Sequence, residues 1–307
     1  MSEKVPLIWG TDPEAFASYS ENGKLHTLPP YYFRKVLDVP HYVEPQDTKA
    51  KHPVFFDRGV YKLIEDGAAF EMTIQPSHSP KELWERIQAC AEETSELILS
   101  EFPEDCDPVL RFIPTIGFDV KRWENMPEDF RMSTMFGCDP SKDAWNMSKK
   151  SSITDASLHA WRYGGGHLHI SGSEMIAEDP IRAIQCMSVT AGNAAIAYSK
   201  VPNLEKMRTF EYGIPGNFRV QRYGKKNPFG PAYAVGVEYR TISDSWCGDW
   251  NLAEKVFQWA EIGIRNLLET NLAQEILDDT GEASQQAILN CDQEMSRQIL
   301  SYIESRI

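Results

Sequence analysis

The chain has 307 residues, 42% hydrophobic and 11% aromatic, which supports a sizeable core and excludes global disorder. Its formal net charge is −14, from 45 acidic and 31 basic residues. Such a surface repels phosphate backbones, so duplex nucleic acid is a poor partner, whereas bound magnesium inverts the field locally and leaves room for one nucleotide such as ATP.

The six cysteines (Cys90, Cys106, Cys138, Cys186, Cys247 and Cys291) form no CxxC pair. That excludes a zinc ribbon and a dense disulfide framework, and it reads as reduced thiols in a cytoplasmic protein. The opening MSEKVPLIWG lacks an apolar signal run, and no stretch approaches the ~18 apolar residues of a membrane span. Without repeats or low-complexity linkers, residues 1–307 are expected to form one domain, with a helical segment from about residue 251.

Val5–Gly10 reads as a short strand running into Thr11-Asp12-Pro13-Glu14. Residues 27–57, rich in Pro, His and Tyr, read as an irregular excursion whose tyrosine-rich part (27–42) would cover a site. Ala68–Ile74 reads as a strand. Ser79-Pro80-Lys81-Glu82 is a capping box with Pro at the first helical position, and Leu83, Ile87, Ala91, Leu97 and Ile98 follow near the helical period. Residues 103–155 read as loop-rich, with short strands near Arg111–Ile113. Gly165–Ser171 reads as a strand with alternating faces. Asp179-Pro180 opens a helix to about Lys200, with Ile184, Met187, Ala191 and Ala194 on one face. Val235–Ile242 reads as a strand. Asn251–Glu254 reads as the cap of a helix lined by Leu252, Val256, Ala260, Ile264 and Leu267, and a last helix runs from about Glu282 to Glu304. The pattern predicts an α+β fold, with strands supplying polar groups and helices packed on the opposite face.

Several of these strands carry acids or histidines at interior positions. Asp12 and Glu14 are two residues apart, so an extended chain points both to one face. Glu71 sits inside AAFEMTI, with Asp66 just before it. His167 and His169 share a face, as do Glu238 and Arg240 in GVEYR. Solvated alternation explains any one of these. Four strands repeating the anomaly, each with ligand-type side chains, point to a cation cluster. Carboxylates suit Mg2+ or Mn2+, and imidazole tilts the choice toward Mn2+. The Gly164-Gly165-Gly166 run would let a ligand approach the backbone. Arg162, Arg219, Arg222 and Arg240 lie near these motifs and offer planar forks for phosphate or carboxylate, Arg219 at the end of the Pro215–Arg219 turn. No GxxxxGK(S/T), strand-linked GxGxxG, GxSxG or HExxH motif is present.

The segments GTDPE (10–14), EDGAAFE (65–71), FGCDPSKDAW (136–145), GGGHLHIS (164–171), PGNFR (215–219) and GVEYRT (236–241) together resemble the phage-type carboxylate–amine ligases (amidoligases, type 2) of the glutamine synthetase and glutamate–cysteine ligase superfamily. They span roughly residues 8–246 in the family's order. The resemblance implies a glutamine synthetase-like fold, a curved, mainly antiparallel half-barrel with helices on its convex face. By motif it implies Asp12, Glu14, Asp66, Glu71, His167 and Glu238 as metal ligands. Asp12 replaces the family's more usual glutamate, and Asp66 is preferred to Glu65. Arg219 and Arg240 would join Glu238 as the catalytic set and contact phosphates, with Arg162, Gly165 and Arg222 as further nucleotide contacts. The implied activity is amide-bond formation between small-molecule or peptide carboxylates and amines, with ATP and Mg2+ or Mn2+, in the cytoplasm (the host's, for a phage protein). The large N-terminal domain of glutamine synthetase has no counterpart, so ring assembly by that route is not implied. The rival readings are an ATP-dependent guanidino-type phosphotransferase, a metal-dependent hydrolase using His167 and His169, and a non-catalytic phage protein retaining the fold.

Overall fold

The computed structural model describes residues 5–21, 23–37, 52–101, 108–123, 141–147, 159–209, 211–223 and 234–307. Residues 38–51, the FGCDP of the fourth motif, Cys106 and Cys138 lie outside them. The described residues are α+β, as the pattern predicts, and are built on one 13-stranded sheet.

The strands are β1 (Ile8–Thr11), β2 (Glu14–Glu21), β3 (Lys24–Leu28), β4 (Val54–Asp57), β5 (Tyr61–Asp66), β6 (Ala69–Ser77), β7 (Val109–Arg111), β8 (Thr115–Gly117), β9 (Lys142–Asp143), β10 (Trp161–Tyr163), β11 (Leu168–Ser171), β12 (Asn217–Arg222) and β13 (Val235–Tyr239). The main path is β10-β8-β3-β2-β6-β1-β11-β13-β12-β9, and every pairing is antiparallel except β3 with β8. β1 therefore lies between the β6 hairpin region and the β11–β13–β12 ribbon.

The pleat sorts side chains. Leu168, Ile170, Phe218, Val237 and Tyr239 alternate onto one face and are fully buried. The helices Glu174–Glu178 and Pro180–Met187 pack on β13, and the helix Pro80–Glu101 packs on β5 and β6. The opposite face of the ribbon carries His169, Glu238 and Arg219.

Three expectations change. The excursion at 27–57 contains ordered structure: β3 ends in it, Pro30 opens a helix Pro30–Val36, and β4 follows. The helix Trp250–Ile262 starts two residues earlier than expected, because Asp249 accepts from Asn251 N–H and replaces Asn251 as the cap. The last helix is two, Leu272–Asn290 and Gln293–Glu304. Cys291 breaks it in the left-handed region (φ 51), and Asp292 restarts it by accepting from Glu294 and Met295 N–H. Among the described residues no helix is long and apolar enough to cross a membrane.

Replacing Asp249 with Ala removes a capping acceptor and costs about 1 kcal/mol. Urea unfolding should show a lower midpoint with an unchanged slope.

Candidate metal centre

Gly10, His169, Glu238 and Arg219 are successive register neighbours across β1, β11, β13 and β12. They form one cross-strand row on the face away from the packed helices. Gly10 leaves space at its end of the row, where a Cβ would stand 3.3 Å from His169 Cβ. On the other side of β1, Glu14 and Glu71 are register partners on β2 and β6, and Asp66 closes β5 beside them.

These residues form two groups, in each of which the potential ligand atoms lie within 4.8 Å of one another: Glu14, Asp66 and Glu71, and Asp12, His169 and Glu238. The extended spacing placed Asp12 and Glu14 on one face, whereas the structure sends one to each group. The reason is local: Asp12 and Pro13 lie between β1 and β2 rather than in a strand. Pro13 O accepts from Met72 N–H, Glu14 N–H donates to Gly165 O, and Gly165 N–H donates to Glu14 Oε2 at 2.8 Å. The Asp12-Pro13-Glu14 corner is thereby pinned between the two groups.

Their electrostatics differ. Burial, then the Asp66 carboxylate, pushes Glu14 up to about 8. Burial, then Asp12, Asp66 and Glu14, pushes Glu71 well above the usual carboxylate range. Without a cation this group keeps protons that carboxylates normally lose. In the second group burial opposes ionisation of Asp12 and Glu238, but His169 and His167 outweigh it, and both acids sit low. Burial lowers His167, with Arg240 assisting, whereas Asp12 overcomes burial at His169 and raises it. His169 is thus shifted toward its charged form beside the acids that a bound cation would otherwise neutralise.

The arginines divide. Arg240 is buried and donates to Glu238 and, at 2.7 Å, to Tyr212. Arg219 is 31% exposed and lies 3.8 Å from Glu238. Arg222 falls on the pleat of Phe218 and Val220, opposite Arg219, and is exposed. Arg162 is buried over the Phe118 ring at 3.7 Å and donates to the carbonyls of His159 and Trp161, none of which belongs to either group. The structure therefore gathers Arg219 and Arg240 but not Arg162 or Arg222. Glu65 turns away onto buried Arg34 at 3.3 Å, which leaves Asp66 as the acid beside Glu71.

The glycine run is not an opening for a ligand. A Cβ on Gly164 would lie 2.6 Å from the Asp244 carboxylate, on Gly165 2.5 Å from His167 Nε2, and on Gly166 2.2 Å from Ser243 O. The protein itself fills the space, so Gly165 serves by its N–H on Glu14 and by admitting His167.

Sequence reasoning missed three contributors. His169 was paired with His167 but not assigned as a ligand, although the register with Glu238 makes it the closer match. Tyr212 lies in a loop between helix Pro202–Thr209 and β12, where no period marks it. Arg208 is fully buried and donates to the carbonyls of Gly164, Thr241 and Ile242, joining the segments that carry His167 and Arg240. A cleft of about 780 Å³ lies elsewhere, between helix Pro80–Glu101 and β7, and contains none of the ligand residues. No known family model matches the chain, and no curated protein matches it.

The raised groups give a pH signature. Glu14 binds its proton more tightly folded than unfolded, so its contribution is complete below the ordinary carboxylate range and is lost as pH rises through about 8. Raised His169 acts in the same direction, while lowered His167 opposes only up to about pH 6.5, its ordinary value. In chelator, Tm should therefore fall between about pH 6.5 and 8, Glu14→Gln should flatten the fall, and Mn2+ should raise Tm most at the alkaline end. A Tm that climbs through this window in chelator would contradict the assignment.

Proposed function

We propose that the chain is an ATP-dependent carboxylate–amine ligase that forms an amide or peptide-like bond at a two-cation site, on a glutamine synthetase-like half-barrel. The observation that carries the reading is the pair of ligand groups on either side of Asp12-Pro13-Glu14, with Arg219 and Arg240 beside the second. The resemblance supplies the reaction, and the geometry supports the cation site.

Three carboxylates, Glu14, Asp66 and Glu71, fit a hard divalent ion, and Asp12, His169 and Glu238 fit a second with Mn2+ character. Bound Mg2+ or Mn2+ would supply Lewis acidity that neutralises phosphate oxygens. A carboxylate is a poor electrophile, so transfer of the ATP γ-phosphoryl group to it yields an acyl phosphate that a neutral amine can attack. Arg219, the partly exposed arginine, would meet the transferring phosphoryl group. Arg240 holds Glu238 in the row across β11, β13 and β12. A site carboxylate takes the amine's proton, and exclusion of water protects the acyl phosphate.

The test is phosphate release from ATP with Mn2+ or Mg2+ across a panel of carboxylates and amines. Amine-dependent phosphate release, reduced about 100-fold or more in Glu71→Ala and Glu238→Ala, is expected. ADP formation with an isolable phosphorylated guanidino product and no amide would replace the ligase by a phosphotransferase. Full activity in both variants would remove the site.

A further inference from the structure

The two histidines are held differently. Both reach Asp12 Oδ1, His167 through Nδ1 at 3.2 Å and His169 through Nε2 at 3.3 Å. His167 Nε2 is engaged on its far side by the Tyr212 hydroxyl at 2.8 Å. His169 Nε2 is buried and, despite its nearness to Asp12, makes no hydrogen bond of good geometry. It faces the space between Asp12 and Glu238.

The groups facing the two ring nitrogens set the tautomer of His167. Arginine has only donors, so the Tyr212 oxygen accepts from Arg240 Nη2 at 2.7 Å. Its own hydrogen can then be donated to His167 Nε2 when the imidazole proton is on Nδ1. Nδ1 faces the Asp12 carboxylate at 3.2 Å and Glu238 at 3.6 Å, two acceptors that draw the imidazole proton to that nitrogen. Arg240 Nη1 also approaches Nδ1, at 3.4 Å, but two nearby carboxylates favour N–H over a lone pair there. With one ring nitrogen protonated and the other accepting a hydrogen bond, His167 has no lone pair for a cation.

Tyr212 is itself held from behind. Its N–H donates to Arg208 O, and its ring lies over the Arg208 guanidinium at 4.9 Å. Gly213 (φ 72) passes against that guanidinium, where a Cβ would be 2.2 Å from Nη1, so neither its backbone conformation nor its surroundings admit a side chain.

We propose that Tyr212 is a positioning residue that divides the histidines between two tasks: His169 takes a divalent cation with Asp12 and Glu238, while His167 binds no metal and ties Asp12 to Arg240. This deepens the ligase reading and rests on its cation site. It departs from the motif-based assignment of the first histidine, His167, as the ligand. The hydroxyl acts through its two partners, so its loss should alter the tautomer of His167 and the orientation of Arg240 rather than remove a ligand.

Two measurements on the full chain decide it. The first is nitrogen NMR of histidine-labelled, metal-free protein, with His167 assigned through His167→Gln. Wild type should show His167 as the Nδ1–H tautomer, and Tyr212→Phe, which keeps the ring on Arg208, should shift it toward Nε2–H. The second is Mn2+ titration followed by electron paramagnetic resonance. His169→Gln should weaken one of two Mn2+ ions by about 100-fold, with His167→Gln and Tyr212→Phe at least tenfold milder. An Nε2–H His167 in wild type overturns the role of Tyr212, and this arm stands even if Tyr212→Phe does not fold. An equal or deeper loss in His167→Gln overturns the division of tasks. A wild type that binds no Mn2+ removes the cation reading and His169's task with it, while the tautomer still judges Tyr212 separately.

Discussion

Glu14, Asp66 and Glu71 bring carboxylate oxygens within 4.8 Å of one another in a largely buried setting. Three such charges repel strongly when water is excluded, and the fold has two ways to relieve this. It can retain protons, as the raised Glu14 and Glu71 do, or it can bind a cation. Among the described residues no arginine or lysine ion pair with these three acids is seen, although buried Arg34 is given to the adjacent Glu65. Burial of carboxylates without an arginine or lysine partner is costly, unlike the solvation of an exposed acidic patch.

The second group relieves its charge internally. Asp12 and Glu238 face His167, His169, Arg240 and Arg219, and each acid is held in its ionised form. The two groups meet at Asp12-Pro13-Glu14, whose backbone is fixed by Met72 and Gly165. Behind them, Arg208 gathers the carbonyls of Gly164, Thr241 and Ile242. The glycine run is needed because Asp244, His167 and Ser243 occupy the space where side chains would project. The site is therefore positioned by the fold's own hydrogen bonds and packing, on strands and short corners.

Much of this is legible in sequence because strand periodicity is a short-range property. The alternation in GGHLHIS puts His167 and His169 on one face of their segment, that in GVEYR does the same for Glu238 and Arg240, and AAFEMTI places Glu71 among core residues. Neither the strand register nor the corner at Asp12-Pro13 is legible, and together they decide which residue joins which group. Hence Asp12 and Glu14, two apart in sequence, part company, and His169 rather than His167 comes level with Glu238. Arg162 and Arg222 lie near the motifs in sequence, but the pleat and the Phe118 ring carry them elsewhere. Tyr212 and Arg208 left no signal, since a loop tyrosine and a helix-end arginine are ordinary until the fold buries them.

The proposed function requires that the two groups hold two divalent ions. A crystal structure of protein soaked in Mn2+, with anomalous scattering at the manganese edge, tests it directly. Two manganese peaks are expected, one among Glu14, Asp66 and Glu71 and one among Asp12, His169 and Glu238. Carboxylates that keep their hydrogen bonds, with no anomalous peak at either group under saturating Mn2+ at alkaline pH, would contradict it.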